Sequence, residues 1–175
     1  MKHFCHSSEL FKGVKGKTDQ VALLLHDYDA NVVGYQIRNL KSGTVPKYLT
    51  VFNQAAAGRI DSSWFRNQDN STLVITEDYL SAYRVHKETG YNTLALLRTT
   101  VSDKTLAAIS SLGFTHIYLW LDPDSAGIKG ATSAYKQLKY YLPSHTVITK
   151  LSHSCEAKQC KEGSLLSFFT ATEKE

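Results

Sequence analysis

Four short apolar runs in the second half of the chain, alternating with helix-like segments, leave little choice of fold. They are Thr72-Leu-Val-Ile-Thr76, Thr93-Leu-Ala-Leu-Leu97, His116-Ile-Tyr-Leu-Trp-Leu121 and Thr146-Val-Ile-Thr149. Each is too short for a helix and apolar at successive positions, the pattern of a strand buried on both faces. Between them, residues 78–89 read as a helix closed by Gly90. Ser102 is suited to cap a second helix, in which Leu106, Ile109 and Leu112 share a face and which Gly113 ends. A third helix is expected from Ser125 to Leu142, with Ile128, Ala131, Tyr135, Leu138 and Leu142 as its apolar stripe. Strands alternating with helices form right-handed βαβ units. The expected fold class is therefore α/β, an approximately four-stranded parallel sheet with helices on both faces.

The first 70 residues follow another rhythm. Residues 1–20 are rich in Lys, Gly and Ser and read as a lead-in. Val21–Leu25 and Val32–Arg38 read as strands joined by a polar turn, and Lys41-Ser-Gly43 marks a further turn. Pro46 biases Val45 away from helix, so Pro46-Lys-Tyr-Leu49 is extended. Residues 54–70 look like connecting structure. The expected organisation is a lead-in (1–20), a small basic β-rich subdomain (21–70), the α/β domain (71–160) and a C-terminal tail (161–175).

Charge is distributed unevenly. Residues 1–70 carry nine Lys/Arg against six Asp/Glu, residues 71–124 four against six, and residues 125–175 seven against four. An acidic centre between basic ends suits a metal site that meets a polyanion, although random surface charge gives the same totals. Cys5, Cys155 and Cys160 are too few for a disulfide framework, and neither His3/Cys5/His6 nor His153/Cys155/Cys160 has the paired spacing of structural zinc. With no signal-like start and no long apolar run, a cytoplasmic location is expected, in a bacterial cell or a phage-infected host.

In a parallel sheet, ligands gather at the carboxyl ends of the strands. Glu77 follows the first strand directly and Asp122-Pro123-Asp124 follows the third. Two carboxylates held this close repel unless a cation intervenes, and Mg²⁺ prefers such hard oxygen ligands. Glu77 adds a third carboxylate or a general base. Taken alone, Asp-Pro-Asp is also an ordinary turn and helix cap. Joint placement at two strand ends of one sheet is what distinguishes it.

A strand ending in Glu, a βα unit, and an apolar strand ending in Asp-x-Asp-x-x-Gly together resemble the Toprim pattern of primases, topoisomerases and small nucleases. Ile117-Tyr-Leu-Trp-Leu-Asp-Pro-Asp-Ser-Ala-Gly127 is similar to the primase version. Upstream, Gly34-Tyr-Gln-Ile-Arg38 and Pro46-Lys-Tyr-Leu49 resemble the basic subdomain that precedes Toprim in bacterial- and phage-type DNA primases. The resemblance implies that Glu77, Asp122 and Asp124 are catalytic and bind Mg²⁺ or Mn²⁺. It implies that Arg38 and Lys47 face template or nucleotide, though two solvated strand residues would look the same. Cys155-Glu-Ala-Lys-Gln159 is similar to the family's third acidic segment, making Glu156 a further metal ligand and Lys158 a phosphate contact. The chain departs from the family at Asp78, where Gly is usual, and at Ser81, where Asp is usual. The loop after the second strand, Leu97-Arg98-Thr99-Thr100, lacks the usual Gly, and Arg98 is expected to reach phosphate in compensation.

The implied function is a primase-like catalytic core making short RNA primers in phage or mobile-element replication. Its implied partners are single-stranded DNA, ribonucleoside triphosphates and a replicative helicase, with no membrane. The alternatives are a Toprim nuclease, against which the Arg38/Lys47 segment counts, and a nucleic-acid-binding replication adaptor with a degenerate site. The family's zinc-binding and helicase-linked modules are not visible in the sequence, which suits an excised fragment or a compact phage protein.

Overall fold

The computed structural model describes residues 20–43, 45–53, 60–151 and 153–172. The expected lead-in and the His3/Cys5/His6 group lie outside them. Eight strands form two sheets. The first is antiparallel, in the order β1 (Gln20–His26), β2 (Val32–Asn39), β3 (Tyr48–Phe52). The second is five-stranded and mixed. It comprises β4 (Ser63–Phe65), β5 (Thr72–Thr76), β6 (Asn92–Ala95), β7 (His116–Trp120) and β8 (Val147–Lys150), in the spatial order β4-β6-β5-β7-β8. β5–β8 are mutually parallel, while β4 pairs antiparallel with β6. Thus the parallel core has the expected four strands. The fifth comes from the stretch read as connecting structure, where three residues are too few to show a period.

The described residues also form four α-helices: α1 (Tyr79–Thr89), α2 (Asp103–Leu112), α3 (Ser125–Tyr141) and α4 (Leu165–Thr172). α2 and α3 pack on one face of the large sheet over Leu73, Ile75, Ile117 and Leu119. α1 and α4 cover the alternate residues Val74, Tyr118 and Trp120 on the other face. The period of two along β5 and β7 therefore feeds two cores at once, which is why these strands read as continuously apolar. Leu165 and Phe169 of α4 are fully buried against this second core, in the segment read as a tail. A third cluster joins Leu23, Leu25 and Val33 of the small sheet to Phe65, Tyr79 and Ala82. It seats the small sheet beside α1, close to the carboxyl end of β5.

The face of α3 follows the expected stripe except at its start: Leu138 is buried and Ala131, Tyr135 and Leu142 pack against the core, whereas Ile128 is 61% exposed. Gly127, Gly130 and Ala134 are also buried on this helix. Close approach explains the two glycines. A Cβ on Gly130 would lie 2.3 Å from the Thr99 carbonyl oxygen, and one on Gly127 would lie 2.1 Å from that of Asp122. Glycine contributes nothing to an apolar count, so the expected stripe did not include these two positions.

Buried Asn92 joins the start of β6 to the segment leading into β5. Its Oδ1 accepts from the Asn67 backbone N–H (2.9 Å) and from Arg66 Nε (3.1 Å), and its Nδ2 donates to the Asn70 and Thr72 carbonyls. Asn92→Ala strands these groups and is expected to cost about 2 kcal/mol in urea unfolding. A variant within 0.5 kcal/mol of wild type would show that the network contributes little.

Candidate metal centre

The site forms where β5 and β7, neighbours in the sheet, end side by side. Thr76 pairs with Trp120 in the parallel register, so Glu77 and Asp122 emerge at the same edge. The Asp122 backbone amide lowers the Glu77 pKa, a smaller effect than those that raise it. Burial raises the Glu77 pKa above the ordinary glutamate value, and the charges of Asp122, Asp124 and Asp78 raise it further. Asp122 is likewise raised, first by burial and then by Asp78 and Asp124, with Lys158 and His153 opposing. For each carboxyl, burial comes first and the neighbouring carboxylates add to it.

The sequence reading did not assign Asp78 to this site. It caps α1, its Oδ1 accepting from the N–H groups of Leu80 (3.0 Å) and Ser81 (3.3 Å). Ligand oxygens of Asp78, Asp122 and Glu156 all lie within 4.8 Å of one another. The available signal was a second acidic residue directly after Glu77, which the family comparison treated only as a missing glycine. Glu156 arrives from the loop before the 3-10 turn Ala157–Gln159, where it and Gln159 form a capping box. Asp124 caps α3, Oδ1 accepting from the Gly127 N–H at 2.7 Å. Gly127 is needed there because the first turn of α3 lies directly on the Asp122 backbone.

These residues fit a hard divalent cation. The donors are all carboxylate oxygens, and Glu77 Oε2 is buried with no hydrogen-bond partner. The acidic cluster can hold a metal ion.

The basic residues divide into three groups. Lys158 lies within the cluster, Nζ 3.1 Å from Asp78 Oδ2 and also paired with Glu156. Arg38 and Lys47 flank Tyr48, their charged ends 5.6 and 5.7 Å from its ring centroid. Tyr48 in turn lies close enough for Asp78 and Asp122 to act on its phenol, whose pKa is raised chiefly by burial. Tyr48, paired across β2 and β3 with Arg38, is thus within electrostatic reach of the acidic edge. Arg98, expected at phosphate, is instead bound to Asp61, Nη1 to Oδ2 at 3.2 Å and Nη2 to the carbonyl at 3.1 Å. Leu97 before it takes φ +60°, the left-handed conformation that favours Gly. The loop therefore keeps the backbone shape expected of a glycine without having one.

Lys158 acts as an internal counter-ion. In Lys158→Met the cluster loses its nearest positive charge, and Mn²⁺ affinity by calorimetry is expected to tighten about five- to tenfold. Unchanged Mn²⁺ affinity would show that Lys158 does not compensate the cluster.

Residues 71–151 match the Toprim domain family. The fold is similar to a DNA primase domain from Pseudomonas aeruginosa, with TM-score 0.72 and 19% identity over 93% of this chain and 54% of that one. It is also similar to a DnaG primase catalytic domain bound to ssDNA (TM-score 0.67, 18% identity, 89% and 51% covered). The primase fragment of the bacteriophage T7 primase-helicase protein matches with TM-score 0.62 and 19% identity, covering 87% and 62%. No curated protein sequence matches the chain. The chain spans about half the length of the first solved structures it matches. Residues 71–151 thus match the Toprim domain family, and the chain shares the fold of the part of the bacterial and phage primase catalytic cores that it spans.

Proposed function

We propose that this chain is a primase-like catalytic core that joins ribonucleotides into short primers on single-stranded DNA. The observation that carries the reading is the convergence of Glu77, Asp78, Asp122 and Glu156 at one sheet edge, with Tyr48 of the small sheet, the cross-strand partner of Arg38, within electrostatic reach of it. A nuclease needs only the first half of that arrangement. Glu77, Asp122, Asp124 and Glu156, joined by Asp78, would hold Mg²⁺ or Mn²⁺. When bound, such ions polarise the attacking 3′-hydroxyl and stabilise the pyrophosphate leaving group. Arg38 offers a planar fork to phosphate and Lys47 a mobile point charge, which together orient template and incoming nucleotide. Lys158, released from the carboxylates once a cation neutralises them, becomes available to a phosphate oxygen. Arg98 orders the loop after β6 through Asp61.

Support also comes from the fold shared with primase catalytic cores, one of them bound to ssDNA and one part of a primase-helicase. Single-stranded DNA, ribonucleoside triphosphates and a replicative helicase are the partners this reading assigns. No described helix is long and apolar enough to cross a membrane. The test is incubation with single-stranded DNA, labelled ribonucleotides and Mg²⁺ or Mn²⁺. Short labelled RNA that disappears in Glu77→Ala is expected. Shortened DNA would favour a nuclease, and binding without either product would favour an adaptor.

A further inference from the structure

Two thiols bracket the loop that carries Glu156 and Lys158. Cys155 Sγ and Cys160 Sγ are 3.3 Å apart, and both residues are half-buried. Their backbones are anchored from opposite sides of the loop. The Trp120 indole N–H on β7 donates to the Cys155 carbonyl (3.2 Å), and Arg84 Nη2 on α1 donates to the Cys160 carbonyl (3.1 Å). Between them the capping box and the 3-10 turn hold residues 156–159 compact. Contact at this distance is a little over 1 Å longer than a disulfide bond. Closing it needs the two sulfurs to approach by that amount.

We propose that Cys155 and Cys160 form a reversible dithiol–disulfide pair that staples the Glu156/Lys158 loop. With a peroxide as oxidant, one thiolate attacks a peroxide oxygen, giving a sulfenic acid and releasing water or alcohol. The second thiolate then attacks the sulfenic sulfur, the S–S bond forms, and hydroxide leaves to take up a proton as water. Two thiols are oxidised and one peroxide is reduced. A dithiol such as dithiothreitol returns both cysteines to thiols by exchange through a mixed disulfide. Intracellular disulfides are usually transient ones of this kind. The staple encloses Glu156 and Lys158, so the oxidation state of the pair sets how freely that loop moves. This modification stands on the thiol geometry and holds whichever reaction the acidic site performs.

The test uses the full chain, reduced and then treated with stoichiometric hydrogen peroxide. Intact mass is expected to fall by two hydrogen atoms and recover with dithiothreitol, and peptide mapping is expected to join Cys155 to Cys160. Cys155→Ser and Cys160→Ser each lose the change, and Cys5→Ser keeps it. Backbone hydrogen exchange over residues 156–160 is expected to slow at least severalfold in the oxidised form. Mass gain by oxygen addition, a bond to Cys5, or no reaction would overturn the pairing. A disulfide with unaltered exchange would overturn the staple.

Discussion

Asp122→Asn is expected to abolish metal-dependent chemistry while making the metal-free protein more heat-stable. Asn keeps the shape of the side chain and removes one negative charge from the edge shared by Glu77, Asp78 and Glu156. Loss of a group that stabilises transition-state charge lowers rate by about 10²–10³-fold, so primer synthesis should fall to background. Stability moves the other way, for a reason fixed by sign. A carboxyl whose folded pKa is raised contributes stability below its unfolded value, and that contribution is lost as pH rises through the folded value. Asp122 and Glu77 are both raised. At neutral pH, therefore, the charged cluster works against the folded state. The melting temperature of Asp122→Asn without metal should exceed wild type at pH 7. The gap should narrow as pH falls towards the ordinary carboxyl range near 4. Comparing the variant with wild type at each pH cancels His26, which burial holds below the ordinary histidine pKa and which weakens the fold as it acquires a proton on acidification; His153, also lowered by burial, is raised by the Asp122 charge and so falls further in the variant. Saturating Mn²⁺ should reverse the order, stabilising wild type and leaving the variant nearly unmoved. A variant less stable than wild type at pH 7 without metal would show that Asp122 serves the fold rather than the charge cluster.

The second large effect is structural. In Gly127→Ala the new Cβ would lie 2.1 Å from the Asp122 carbonyl oxygen and 3.0 Å from the Asp122 backbone nitrogen and carbonyl carbon. These are backbone atoms, so no side chain can swing aside. The first turn of α3 must lift from the end of β7, breaking the Gly127 N–H bond to Asp124 and displacing both aspartates. We expect a cost of about 3 kcal/mol, or a melting temperature lower by roughly 6–12 °C for a chain of this size, together with loss of Mn²⁺ binding. Exposed Ala126 is the control, since Ala126→Ser should stay within about 0.5 kcal/mol of wild type. Wild-type stability and metal affinity in Gly127→Ala would mean that α3 is free to move without disturbing the carboxylates.

Much of this was legible in the chain itself. Asp78, Ser102 and Asp124 are helix-capping residues, and the α1, α2 and α3 caps fall on them. Gly90 and Gly113 end their helices in the left-handed conformation. Local chemistry was enough there because a cap is settled within one turn. The failures arose where a partner distant in sequence decides. β4 has three residues and exists as a strand because β6 offers it hydrogen bonds. The apolar run Leu165-Leu-Ser-Phe-Phe169 is too short to declare a helix by its period, and it packs as α4 because Trp120 and Tyr118 provide a surface for Phe169. Arg98 had the charge for phosphate and found Asp61, 37 residues upstream.

By itself the sequence determined the parallel sheet and the strand ends from which Glu77 and Asp122 project, because apolar periodicity and βαβ handedness are local rules. Only the tertiary structure decided the membership of the metal centre. Asp78, which the sequence reading did not assign, enters because α1 begins at the site; Glu156 and Lys158, which the family resemblance had implied, reach it because a loop 34 residues beyond Asp122 folds back over the same edge. Such a cluster is a sum of Coulomb interactions over a few ångströms, and distances of that size between remote residues exist only once the chain has folded.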